Sequence, residues 1–93
     1  MKNKVKARAV ISGQVQGVFY RATTKETAEN FGVRGCVKNR SDGNVEAIFE
    51  GEKKYVDLVL KWCSEGPLYA KVKKVDIRWE EYSGEYYDFS ISY

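Results

Sequence analysis

The first place in this chain where residue types could do chemistry is the stretch Gly13-Gln14-Val15-Gln16-Gly17-Val18-Phe19-Tyr20-Arg21, which joins an alternating segment to one with helical spacing. A loop entering a helix N-terminus presents main-chain N–H groups that lack partners, and the helix dipole adds partial positive charge there. Glycines let such a backbone curl into a nest around an anion. Arg21 sits where the helix begins, and its planar guanidinium can hold two phosphate oxygens at once. These are the parts of a phosphate cradle. The same residues also suit an ordinary turn followed by an arginine in a first helical turn. The loop is neither a Walker loop nor a dinucleotide fingerprint, because no Gly-Lys-Ser/Thr follows it and no GxGxxG is present.

The second feature is Asn39, near the end of a strand. By alternation it shares a side with Val37, a position expected to be buried, and an amide there needs partners. It has two readings: a hydrogen bond into the turn Ser41-Asp42-Gly43-Asn44, or a grip on a water molecule beside the cradle. Asn39-Arg40-Ser41 also matches a glycosylation sequon, an accidental match in a chain read as unexported.

Composition removes other chemistries. The 93 residues contain no histidine, which excludes Ser-His-Asp triads, phosphohistidine intermediates, histidine proton shuttles and nearly all catalytic zinc sites. Cys36 and Cys63 form no CxxC pair. With no export signal behind the basic start, they read as reduced thiols of a cytoplasmic protein. No apolar run exceeds three residues, so no transmembrane helix is expected. The net charge of +3 is uneven: residues 1–40 hold nine Lys or Arg against two Glu, and residues 41–93 hold seven against eleven Asp or Glu. A basic front half fits an anionic ligand, and it equally fits lysines solvating edge strands.

The elements that must position these residues follow from periodicity. Lys4 to Ser12 alternates as a half-buried strand with Val5, Ala7, Ala9 and Ile11 on one side. Residues 22–31 read as a helix, with Thr24, Ala28 and Phe31 at helical spacing and Gly32 at its C-terminal end. A strand from Val33 to Arg40 turns through Ser41–Asn44 into a strand from Val45 to Glu50, with Val45, Ala47 and Phe49 inward and Glu46, Ile48 and Glu50 outward. A second helix over Glu52 to Ser64 carries Val56, Val59, Leu60 and Cys63 on its apolar stripe. A strand from Lys71 to Glu81 places Val75, Ile77 and Trp79 inward. A last strand from Tyr86 to Tyr93 places Tyr87, Phe89, Ile91 and Tyr93 on one face. Phe31, Phe49, Trp79 and Phe89 are expected in the core, and Tyr55, Tyr82 and Tyr86 at the surface.

The order is βαββαβ: a single domain over residues 1–93, of ferredoxin-like α+β sandwich architecture. It has a four-stranded antiparallel sheet with two helices on one face, and room for an extra C-terminal strand. That fold hosts many functions.

At the residues quoted above the sequence resembles the acylphosphatase family. Its loop has the family's glycine, then Val15-Gln16-Gly17-Val18, then an aromatic residue before Arg21. Gly35-Cys36-Val37-Lys38-Asn39, followed by Asp42-Gly43 and Val45-Glu46, resembles the second signature, and Phe89-Ser90-Ile91-Ser92-Tyr93 resembles the family's ending. The resemblance spans essentially the whole chain. Cys36 departs from it, standing where an aromatic residue is frequent, which bears on the rim of the pocket.

The resemblance implies hydrolysis of acyl phosphates to a carboxylate and inorganic phosphate. Arg21 would bind the phosphoryl group, Asn39 would orient the attacking water, and the backbone amides of Gln16, Gly17, Val18, Phe19 and Tyr20 would complete the cradle. No cofactor and no metal are implied, so chelators should have no effect. The expected partners are a small acyl phosphate, with inorganic phosphate or sulfate as an inhibitor-like ligand. No nucleic acid or membrane is implied, and the chain, ending at Tyr93, is expected to act alone as a monomer. Phe19 and Tyr20 lie beside the cradle, where contact with the acyl group and simple packing are both open.

Two other readings use the same topology. An RNA-binding module needs stacking aromatics on the open sheet face, and Lys6, Arg8, Val10, Glu46, Ile48 and Glu50 supply none. A non-catalytic phosphate-binding domain differs from the enzyme only in turnover, and a domain of this kind also occurs at the front of larger carbamoyl-transfer proteins.

Overall fold

The computed structural model describes residues 3–92. The elements run β1 (Lys4–Gln14), α1 (Tyr20–Asn30), β2 (Arg34–Asn39), β3 (Val45–Glu52), α2 (Lys53–Cys63), β4 (Lys71–Glu80) and β5 (Phe89–Ser92). The strands form one sheet in the order β4-β1-β3-β2-β5. The first four pair antiparallel, as expected of a ferredoxin-like sheet, and β5 adds to the far edge parallel to β2. The extra C-terminal strand therefore exists, and it makes the sheet mixed.

Alternation places Ala7, Ala9 and Ile11 of β1 and Val45, Ala47 and Phe49 of β3 on one face, all buried. The helices cover that face, α2 over β1 and β3 and α1 over β2 and β5. Helix α1 inserts Tyr20, Thr24 and Ala28, spaced four residues apart, and α2 inserts Val56, Val59, Leu60 and Cys63. The rings of Phe49 and Phe89 stack at 5.6 Å, which locks β5 onto the core.

Several expectations change. Helix α1 starts at Tyr20 rather than at residue 22: Phe19 is its N-cap, and the Phe19 carbonyl accepts from the Thr23 N–H at 3.0 Å. Strand β4 is an edge that projects beyond the cover of α2. Ile77 and Trp79 do lie on the helix side, opposite Ala9 and Ala7, but they stay 39% and 50% exposed, so Trp79 is not a core residue. Instead the Lys53 ammonium sits 5.4 Å above its ring. The last strand begins at Phe89, not Tyr86, which leaves Tyr87 outside the sheet and exposed; Tyr93 lies outside the described residues.

Another concerns Glu50. It faces away from the helices as expected, yet it is buried. The connector after β4 covers it: the Ser83 N–H and hydroxyl each donate to its carboxylate at 2.8 Å, and the Gly84 N–H at 3.3 Å. Tyr86, in the same connector, is half-buried, and Tyr55 packs on Phe31 with ring centroids 6.2 Å apart, so neither is a plain surface residue.

The open face also carries an ionic cluster. Arg8 lies between Glu46 and Glu80, with its Nε donating to Glu80 at 2.8 Å. These hydrogen bonds, Glu80 first and Glu46 second, raise the Arg8 pKa, and Arg8 holds the Glu80 carboxyl below its usual range. Cys36 and Cys63 are both free thiols.

Candidate active site

The site begins with the way β1 ends. Its pairing with β4 slips between Ser12 and Gly13, and the strands approach so closely that a Cβ on Gly13 would stand 2.1 Å from the Lys71 carbonyl oxygen. That close approach, with a φ of +122°, requires glycine. The chain then leaves the sheet, buries Val15, and turns through Gly17 at φ +75° and Phe19 at φ +63°. Positive φ at the two residues flanking Val18 is backbone of the kind from which anion nests are built.

Helix α1 follows directly. No side chain caps it and no acidic residue lies in its first turn, so its first N–H groups and the positive end of its dipole are left facing the loop. The helix is anchored from below. The buried Tyr20 ring packs 5.4 Å from Trp62, and its hydroxyl donates to the Cys63 carbonyl at 2.7 Å. Burial raises the Tyr20 pKa first, with Cys63 adding to it, and burial pushes the Cys63 thiol up to about 12. Both groups are therefore neutral structural anchors. Of the two readings for Tyr20, packing is the one the structure adopts.

The loop is tied to the opposite strand end by Gln16. Its side-chain amide donates to the carbonyls of Arg40 and Asn44, both at 2.8 Å. This bridges the mouth of α1 to the turn between β2 and β3. That turn is closed by its own bonds, Arg40 N–H to the Asn44 carbonyl at 2.8 Å and Asn44 N–H to Asp42 at 3.1 Å. Among the described residues the Asn39 side chain makes no hydrogen bond, so the reading in which it braces the turn does not hold. It stands on the α1 side of β2, as alternation predicted, but exposed, because the strand end runs past the core.

Arg21 and Asn39 line one cleft of about 260 Å³, together with Val15, Gly17, Phe19, Tyr20, Ala22 and Ile91. That volume suits one small molecule. Arg21 is steadied from the far edge of the sheet, where its guanidinium donates to the Ser92 carbonyl at 3.5 Å. Of the residues expected in the cradle, Gly17, Phe19, Tyr20 and Arg21 line the cleft. Gln16 and Val18 contribute no lining surface. Cys36 does not reach the rim: it faces Tyr86, whose hydroxyl is pushed up to about 12 by burial and then by the thiol.

Sequence reasoning missed Val15, Ala22 and Ile91 as lining residues. Alternation put Ile91 on the same face as Phe89, but nothing local shows that the last strand docks parallel to β2, which alone carries Ile91 and Ser92 to the cleft. Among the described residues no group of three His, Cys, Asp or Glu side chains converges, and no helix is long and apolar enough to cross a membrane.

With this geometry in hand, comparison with known proteins is direct. The family model described as Acylphosphatase matches residues 7–91. A protein named Acylphosphatase from Pyrobaculum islandicum is 51% identical over 88 residues, covering 94% of this chain and 93% of its own. Another of that name, from Pelotomaculum thermopropionicum, is 41% identical over 91 residues, covering 98% of this chain and 99% of its own. Among solved structures, an acylphosphatase from Coxiella burnetii superposes with a TM-score of 0.92 at 34% identity, covering 97% of this chain and 94% of that one.

Proposed function

The chain belongs to the acylphosphatase family, a hydrolase class acting on acyl phosphates, and from that premise we propose that the cleft at the mouth of α1 is where the reaction occurs. The observation that carries this assignment is the meeting of Arg21 and an uncommitted Asn39 amide in one small cleft at an uncapped helix N-terminus.

The phosphoryl group sits in the nest, its oxygens bonded by the main-chain N–H groups of residues 16–20 and by the Arg21 guanidinium. Asn39 holds a water in line with the bond to be broken. The water oxygen attacks phosphorus, and the bond from phosphorus to the carboxyl oxygen breaks. The electron pair leaves with the carboxylate. The proton of the water passes to a phosphoryl oxygen, giving inorganic phosphate.

A carboxylate is the anion of an acid with a pKa of roughly 4, so it departs without a general acid, and the absence of histidine is no obstacle. A loose phosphoryl-transfer transition state asks for position and for positive charge around the equatorial oxygens. The nest and Arg21 provide the charge, and Asn39 provides the position. In this reading the product phosphate, or sulfate, competes for the cradle, and the chain works as a cytoplasmic monomer.

The test is hydrolysis of benzoyl phosphate in EDTA by the wild type, Arg21→Gln and Asn39→Ala. Arg21→Gln is expected to lose about 10³-fold or more in kcat/KM. Asn39→Ala is expected to lose about 10²-fold in kcat and to keep phosphate inhibition. Near-wild-type turnover by either variant, with melting temperatures unchanged, refutes the role assigned to that residue.

A further inference from the structure

Phe19 is an anomaly for a phenylalanine. It lies at φ +63° and ψ +21°, left-handed backbone that a bulky side chain adopts only under strain, and it is the one positive-φ residue among those described that is not glycine. Its ring does not repay that strain by packing, since it is 78% exposed while its neighbour Tyr20 is buried. Strain of this kind collects at ligand clamps. Phe19 is among the residues that line the cleft, whose lining includes the apolar Ala22 and Ile91 as well as Arg21 and Asn39.

We infer that Phe19 is the specificity-determining residue of the cleft, stacking on the acyl group of an aromatic acyl phosphate while its main-chain N–H serves the cradle. This rests on the reading of the cleft as the acyl phosphate site. The substrate has a dianionic end and an acyl end, and the cleft holds only one small molecule. Once the nest takes the phosphoryl group, the acyl substituent has Phe19, Ala22 and Ile91 as its apolar wall. A flat acyl group gains ring contact there, and an acetyl group is too small to cover the phenyl face.

The experiment compares kcat/KM for benzoyl phosphate and acetyl phosphate in the wild type, Phe19→Gly, Phe19→Asn and Phe19→Tyr. Glycine and asparagine both tolerate left-handed backbone, so the loop keeps its path and its amides. In Phe19→Gly and Phe19→Asn the ratio of benzoyl to acetyl kcat/KM is expected to fall by about five- to tenfold, chiefly through the KM for benzoyl phosphate, and Phe19→Tyr is expected to keep the wild-type ratio. Phe19→Gly should melt no lower than the wild type, since it relieves strain and empties no core site. A ratio unchanged in both ring-less variants, in a protein that hydrolyses both substrates, overturns the inference and leaves the site reading standing. A wild type that hydrolyses neither substrate overturns both.

Discussion

Several residues here have their role set by burial rather than by type. Tyr20 and Cys63 carry titratable groups, yet both are buried and hold their protons. The thiol, ordinarily near 9.0, is pushed up to about 12 by burial, and the phenol is raised for the same reason. The folded state therefore keeps protons that the unfolded chain releases. The stability this contributes is complete below pH 9.0 and is lost as pH rises toward 12. Melting curves between pH 7 and 11 should show a steady fall above pH 9, shallower above pH 10 in Tyr20→Phe. A melting temperature flat across that range would contradict it. Tyr20→Phe also leaves the Cys63 carbonyl without its donor, an expected loss of about 1–3 kcal/mol in urea unfolding at neutral pH.

Among the elements, the candidate site is a junction of three pieces. The loop after β1 is shaped by Gly13 and Gly17, fastened to the turn between β2 and β3 by Gln16, and closed by the end of β5. The Gln16 side-chain amide is spent on the Arg40 and Asn44 carbonyls, which ties the loop to that turn. Gln16→Ala releases two carbonyls and one tether. Weaker inhibition by inorganic phosphate, with the inhibition constant and the KM for acyl phosphate rising together by about tenfold, is the expected result. Unchanged phosphate inhibition would show that the nest holds its form without that tether. That Arg21 and Asn39 belong to one candidate site was legible in the sequence because both sit in dense local motifs, and the structure places both in one cleft. The tether was not legible, because it joins residues 24 and 28 positions apart.

At the scale of the molecule, two helices cover one face of the sheet and a connector covers part of the other. Glu50 pins that connector, accepting from Ser83 twice and from Gly84. Glu50→Ala strips those donors of their acceptor and is expected to cost about 1–3 kcal/mol, while Glu50→Gln keeps an accepting oxygen and recovers part of the loss. Hydrogen exchange reads this locally: the Ser83 and Gly84 amides should exchange faster in Glu50→Ala, and equal rates would show the strap to be held by other contacts. The order of elements, the buried alternation of β1 and β3 and the stripe of α2 were readable from local pattern alone, because each depends on which residues recur at a spacing of two or of three to four. Pattern alone could not say that β4 would overhang its covering helix and leave Trp79 half in solvent, that Glu50 would be covered, or that β5 would lie parallel to β2 and bring Ile91 and Ser92 to Arg21. Those facts depend on contacts between segments far apart in the chain, and a residue's neighbours across space are set by how the layers pack, which no stretch of local sequence contains.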